Sequence, residues 1–400
     1  QGEYNRLNTL RQMLDKRIKK LRSKNGRINT LWMAHTCDGG LGISGEQLDA
    51  NPWLLACANG VIDLRTGELR AGRRDDYITV SSPVEWQGID APADAWERTL
   101  NEILNGQQDL VEFLQRALGC ALIGKHLEKA FFVLYGPGGD NGKSLIMDIV
   151  RWVIGEFAGS IPSGLLLDQS RIKNSSGPTP DVMALKGLRL AIAAETDKDA
   201  RVSTSSIKWL TGDDQIIARN PNDKYNTRWS PTHTLFLLTN YAPHAPADDT
   251  ALWGRIHLIP FDLSFVDREP QTKYERRRDK NLKDKLSQEP AGILAWLVRG
   301  CLQYQIQGLN PPPRVKQATE AYRREEDVLA DFIEEECIVL DSPNHGSTPA
   351  AQLYERFGEW WKRTRGTKVP SGTWFGRSMA RKFDKAKKNG ANHYFGVRLV

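Results

Sequence analysis

Residues 130–150 hold an apolar run, a glycine-rich turn and a second apolar run, and this order leaves few folds open. Ala130-Phe131-Phe132-Val133-Leu134-Tyr135 suits a strand buried on both faces. Gly136-Pro137-Gly138-Gly139-Asp140-Asn141-Gly142 follows, and Lys143-Ser144-Leu145 opens a helical stretch that runs to Val150. Strand, glycine-rich loop and helix together wrap backbone N–H groups around a phosphate, and the helix N-terminus adds its partial positive charge. Lys143 supplies a point charge for the β- and γ-phosphates, and the Ser144 hydroxyl is placed for Mg²⁺. The loop from Gly136 through Leu145 is therefore the expected site for ATP and Mg²⁺. The usual pattern sets about four residues between its first glycine and the Gly-Lys pair. Here that position is Pro137 and the glycine lies one earlier, so the loop is one residue longer.

Three further apolar runs make the central region α/β. Leu188 to Ala194 ends at Glu195, Thr234 to Thr239 ends at Asn240, and Arg255 to Pro260 follows. Ligands of open α/β sheets bind beyond the carboxyl ends of the strands. If the strands are parallel neighbours, Lys143, Glu195 and Asn240 converge on one γ-phosphate. Glu195 then shares the metal with Ser144 and serves as general base, with Asp197 as the alternative base. A capping or ion-paired glutamate is the plainer reading. Asn240 would orient the attacking water, although an asparagine before Tyr241-Ala242-Pro243 is also ordinary turn chemistry. Arg255 either stabilises transition-state charge in an adjacent subunit or pairs with Asp248 or Asp249.

Between Glu195 and Asn240, the turn formers Asn220-Pro221-Asn222-Asp223 sit between β-prone residues and read as a hairpin. Its expected tip carries Lys224, Tyr225 and Arg228, and cations beside an aromatic ring suit single-stranded DNA. An exposed hairpin without a ligand is the alternative.

The flanking regions are read more coarsely. Leu7, Leu10, Leu14, Ile18 and Leu21 predict an amphipathic helix over residues 1–24. Val61 to Gly67 reads as a strand and turn, Pro83 to Pro92 as a linker, and 94–121 as helical with Trp96, Leu100, Phe113 and Leu118 inward. The charged run Arg276 to Lys280 reads as a second linker, and Ile293 to Leu302 as helix. Net charge is +6, yet residues 351–400 alone hold twelve Lys/Arg against three Asp/Glu. That bias favours a polyanionic partner. Helices at 347–361 and 371–383, then a hairpin around Lys388, place Arg377, Arg381, Lys382, Lys385, Lys387 and Lys388 on a second helix and wing. These are expected to meet DNA phosphates. The five cysteines are scattered, without a metal-ligand spacing. No apolar stretch reaches the roughly 20 residues that span a bilayer. The first residue is Gln1, which suggests a fragment of a longer protein.

These residues, in this order, resemble the superfamily 3 helicase module of phage, plasmid and large-DNA-virus primase-helicases. The resemblance rests on the loop 136–144, Leu188 to Glu195, Ile207 to Asp213, Pro231 to Asn240 and Trp253 to Phe261. It extends to Leu48–Leu69 and Ala318–Ile333, and so covers nearly the whole chain. It implies an α/β, AAA+-like P-loop ATPase core with a mostly helical N-terminal domain and a winged-helix C-terminal domain. The expected boundaries are 1–93, 94–125, 126–310 and 311–400. It also implies a ring, usually hexameric, with ATP between subunits and each hairpin gripping single-stranded DNA at a fork. Lys143 and Ser144 then correspond to Walker A, Glu195 to Walker B, Asn240 to the sensor and Arg255 to the arginine finger. Lys208 is a further trans-acting candidate. Gly254 departs from the family, where an arginine often precedes the finger. Translocation 3′ to 5′, a preceding primase domain and a cytoplasmic setting in a bacterial or phage-infected cell are implied likewise. A P-loop kinase or transferase, or a nucleotide-binding DNA scaffold without turnover, are the rival classes.

Overall fold

The computed structural model describes residues 2–37, 42–43, 45–168, 177–194, 200–367, 369–388 and 390–400. The chain divides into two units, Gln1–Asn51 with Gly72–Val80, and Pro52–Ala71 with Ser81–Val400. In the first unit, helices Gly2–Arg22 and Lys24–Thr36 follow one another, with Ser23 capping the second through Gly26 N–H. Leu7, Leu10, Leu14, Ile18 and Leu21 do line one helix as their spacing requires, but all five are exposed.

The second unit opens with an antiparallel sheet of β1 (Leu54–Cys57), β2 (Gly60–Asp63) and β3 (Glu68–Arg70). Residues 83–92 are not a free linker. Ser82 and Ala58 N–H groups tie this segment to β1 and its turn, and Val84 and Trp86 are buried.

The central layer is a five-stranded parallel sheet. Its strands are β4 (Phe131–Tyr135), β5 (Ala158–Ile161), β6 (Leu190–Ala194), β9 (Thr234–Thr239) and β10 (Ile256–Pro260). They lie in the order β10-β4-β9-β6-β5, all parallel. Helices cover both faces, which is why β4 and β9 read as unbroken apolar runs. On one face Phe132 stacks on Phe236 at 4.7 Å and on His257 at 5.4 Å. On the other, Phe131, Val133, Leu235, Leu237 and Leu258 share a core with Ile207, Leu210 and Trp253. Burial of each such side chain contributes about 1.5–3 kcal/mol before entropy is counted.

The expected helix over 94–121 is two helices, Asp94–Ile103 and Gln108–Cys120. Asn105 and Gly106, both at positive φ, break it, although the inward residues are buried as expected. Gln108–Cys120 packs on Pro290–Gln307 at very short range. A Cβ on Gly119 would stand 2.2 Å from Cys301 N, and one on Gly300 2.2 Å from Gln115 O. Backbone meets backbone there, so only glycine fits.

Between β6 and β9, β7 (Ile216–Ala218) and β8 (Thr227–Trp229) form an antiparallel hairpin. After β10, β11 (Ser264–Val266) and β12 (Glu275–Arg277) pair in parallel, so the charged run after 262 is ordered structure rather than a linker.

The C-terminal region adds the helix Val328–Glu336 and β13 (Cys337–Val339). Next come β14 (Ser347–Pro349), the helices Ala350–Thr364 and Gly372–Lys382, β15 (Lys385–Lys388), β16 (Ala391–Phe395) and β17 (Val397–Leu399). Phe332, Phe357, Trp360, Phe375 and Tyr394 form its core. Among the described residues, no helix is long and apolar enough to cross a membrane.

Candidate functional site

The site lies at the carboxyl edge of the parallel sheet, where β4 runs into the glycine-rich loop. The loop reverses by left-handed backbone at Gly138 (φ 79°), Gly139 (78°), Asp140 (51°) and Gly142 (84°). Position 142 favours glycine on two counts: its φ is left-handed, and a Cβ there would meet Ile103 Cδ1 at 2.6 Å, so that side chain would have to shift. The twelve-residue helix Lys143–Ile154 begins at once. Its first turn presents N–H groups that the helix itself leaves without partners. Ser144 is exposed at this turn and Leu145 half-buried.

Lys143 is buried, and its ammonium is held by three oxygens. Nζ donates to Gly136 O at 3.1 Å, Asn141 Oδ1 at 2.8 Å and Asn240 Oδ1 at 2.9 Å. Asn240 reaches it because β9 is the immediate parallel neighbour of β4, with Thr239 opposite Tyr135. Burial lowers the Lys143 pKa to about 8. Glu195, expected to complete this cluster, and Asp197 lie outside the described residues; β6 ends at Ala194.

Sequence reasoning missed the support beneath the loop. Asn141 Nδ2 donates to Leu263 O at 2.8 Å, and Phe265 N–H donates to Asp140 O at 2.9 Å. Arg278, just past β12, places Nη2 2.6 Å from Asp140 Oδ2. The only signal was the density of charge from Arg276 to Lys280, which carries no information about a partner near 140.

Arg255 sits at the opposite edge of the sheet. It precedes β10, and its carbonyl accepts Phe131 N–H at the first residue of β4. One strand length, roughly 16 Å at ~3.3 Å per residue, separates that edge from the Lys143 edge. Arg255 pairs with neither Asp248 nor Asp249. Its Nε donates to Thr211 Oγ1 at 3.1 Å and its Nη1 to Ala251 O at 2.5 Å. Lys208 lies on the helix Thr204–Leu210 just before Thr211, and donates to both Asp249 oxygens at 2.7 Å. Burial would raise the Asp249 pKa, but Lys208 and the Leu252 N–H hold it below the usual range. The two basic candidates thus share one edge, away from Lys143 and Asn240.

The hairpin has the form its sequence predicts, with one correction. Lys224 and Tyr225 are in the loop, and Tyr225 is 83% exposed. Arg228 is on the return strand, opposite Ile217, so both share the outer face. Ile216 and Ala218 root the inner face in the core.

In the C-terminal region Arg377, Lys385, Lys387 and Lys388 are exposed. Arg381 and Lys382 are instead engaged by carboxylates, Arg381 with Asp248 and Lys382 with Asp327 at 2.7 Å. Both side chains remain partly exposed, at 53% and 36%.

Residues 3–105 match the family model described as D5 N terminal like. The chain is 29% identical over 337 residues to "Putative helicase L207/L206" of Acanthamoeba polyphaga mimivirus, a match that covers 82% of this chain and 35% of that protein. It is 24% identical over 388 residues to "Putative helicase 022R" of Frog virus 3, covering 79% and 39%. It is 26% identical over 334 residues to "Putative primase C962R" of African swine fever virus, covering 79% and 34%. The chain therefore spans little more than a third of the length of these relatives. Among solved structures, the NrS-1 C terminal region in its apo form aligns with a TM-score of 0.44 and 14% identity, over 79% of this chain and 77% of that one. The chain is thus similar, over about four fifths of its length, to viral proteins that bear helicase and primase names.

Proposed function

We propose that this chain is the motor part of an ATP-dependent DNA helicase of viral, phage or mobile-element replication. The observation that carries the proposal is the meeting of Lys143 and Asn240, 2.9 Å apart at the ends of adjacent parallel strands. A cation on a glycine-rich loop beside a neutral amide suits a γ-phosphate and the water that attacks it. The strand order β10-β4-β9-β6-β5 supports an AAA+-like core of the superfamily 3 kind, and the helix–helix–hairpin order after Ser347 a winged-helix tail. In this reading Lys143 and the N–H groups from Gly138 to Leu145 hold the β- and γ-phosphates. Ser144 and Glu195 would hold Mg²⁺, which supplies charge neutralisation on the phosphates. Glu195 takes the proton of the attacking water and Asn240 aligns that water. Arg255 serves the site of an adjacent protomer in a ring, with Lys208 beside it, and a hexamer is the proposed assembly. The hairpins draw single-stranded DNA through, 3′ to 5′ by the family resemblance, and open a forked duplex.

ATP hydrolysis stimulated by single-stranded DNA tests the proposal and separates it from a small-molecule kinase. Lys224→Ala with Arg228→Ala is expected to leave basal hydrolysis unchanged and remove the stimulation. Loss of two phosphate contacts should lower the salt slope of single-strand binding by about 1.4. An unchanged slope with unchanged stimulation would move the DNA path off this hairpin.

The depressed Lys143 pKa gives a pH signature. Without ligand Lys143 loses its proton above about pH 8. A bound triphosphate raises its pKa, so binding above that pH takes up a proton. Affinity for ATP should be flat with respect to this group below pH 8, then fall towards ~10-fold per unit above it. Titration calorimetry in buffers of different ionisation enthalpy reads the proton uptake directly. No uptake at pH 9 would remove Lys143 from the phosphate site.

A further inference from the structure

The loop meant to receive a triphosphate carries a carboxylate of its own. Within residues 136–142 Asp140 is the residue at positive φ that is not glycine, and its side chain is 70% exposed beside the first turn of the helix. Left alone, that charge repels an approaching polyanion. Arg278 sits against it, 2.6 Å from Oδ2. The guanidinium is not a loose surface group. Nη2 also donates to Phe265 O at 3.1 Å, Nη1 lies 3.4 Å from Asp267 Oδ2, and Arg278 N–H donates to Val266 O. Phe265 N–H returns to Asp140 O, so β11 and the arginine together clasp Asp140 by its backbone and its side chain.

The geometry points to Arg278 as a positioning residue for nucleoside triphosphate binding, which cancels the Asp140 charge and fixes the lengthened loop around the phosphates. This rests on the glycine-rich loop being the triphosphate site. A cation carried by the β11–β12 pair thereby becomes part of the loop's electrostatics. Its partner lies 138 positions earlier in the chain.

The role has a signature that a purely structural strap lacks. A strap weakens equally whichever partner is lost. A compensating charge does not, because losing Arg278 exposes a repulsive carboxylate whereas losing Asp140 removes one. Equilibrium binding of Mg-ATP to the full chain, with steady-state kcat and KM, reads the difference. At low ionic strength Arg278→Gln should raise Kd and KM about 10-fold with kcat at saturation held within ~2-fold. Asp140→Asn should bind as tightly as the parent or more tightly, and the double variant should return to within ~3-fold of it. Equal weakening by both single variants, with no recovery in the double, would overturn the inference. Should Arg278→Gln not fold, the sign of the Asp140→Asn effect decides alone, and weaker binding sinks the idea. If the parent chain binds no ATP, the reading of the loop itself fails. If it binds ATP and Arg278→Gln matches it, only the role of Arg278 falls.

Discussion

Lys143→Ala is expected to lower ATP hydrolysis by at least ~10³-fold while the chain stays folded and binds single-stranded DNA. The size follows from what the side chain supplies: a cation, largely withdrawn from water, aimed at charge that grows in the transition state, where one lost donor alone costs about 10²–10³. Survival of the fold follows from its partners. The three oxygens around Nζ belong to Gly136, Asn141 and Asn240; the Asn240 amide is exposed, where water can satisfy it, and the buried Asn141 keeps its bond to Leu263 O. Burial disfavours the charged ammonium, so its removal also relieves a desolvation cost. Thermal unfolding should therefore shift by only a few degrees. Hydrolysis within ~10-fold of the parent would mean that turnover happens elsewhere, and the motor reading would go with it.

The difference between what was legible and what was not follows the range of the interactions. β4, β9 and β10 were readable because strands covered on both faces are apolar at every position. β5 was not, since Ala158-Gly159-Ser160-Ile161 is an edge strand with little hydrophobicity. The division at Asn105 and Gly106 was hidden because Leu104 and Leu110 continue the helical period across it. At the site, Lys143, Ser144 and Asn240 were found through local pattern: glycines before a helix, an amide at a strand end. Arg278 could not be, because its contact with Asp140 exists only once β11 and β12 have folded back onto the loop. Arg228 was placed at the tip because no local rule fixes where a hairpin stops pairing. Arg381 and Lys382 were assigned to DNA on charge alone, and their partners Asp248 and Asp327 are far off in sequence.

Arg255→Ala should retain ATP binding and lose about 10³–10⁵ in turnover, the range for an arginine that stabilises phosphoryl-transfer charge. Such a loss would be hard to explain within one chain, because Arg255 immediately precedes β10 at the edge of the sheet remote from Lys143. A flexible side chain cannot cover a strand's length of roughly 16 Å. Its present partners are neutral, a threonine hydroxyl and a backbone carbonyl, and a phosphate would be the stronger acceptor by about twofold. The residue is thus held in a weak parking position that an approaching nucleotide on a neighbour can outcompete. Mixing makes the distinction sharp. In a head-to-tail ring each site combines Lys143 of one protomer with Arg255 of the next. Equal amounts of Lys143→Ala and Arg255→Ala chains, each inactive alone, would form intact sites wherever an Arg255→Ala chain precedes a Lys143→Ala chain. Random assembly makes about a quarter of all sites intact, so hydrolysis should recover to about that fraction of the parent if sites act independently. Were Arg255 a structural residue that holds Thr211, the mixture would stay inactive and the Arg255→Ala chain would melt earlier. Recovery in the mixture requires that two chains build one catalytic site.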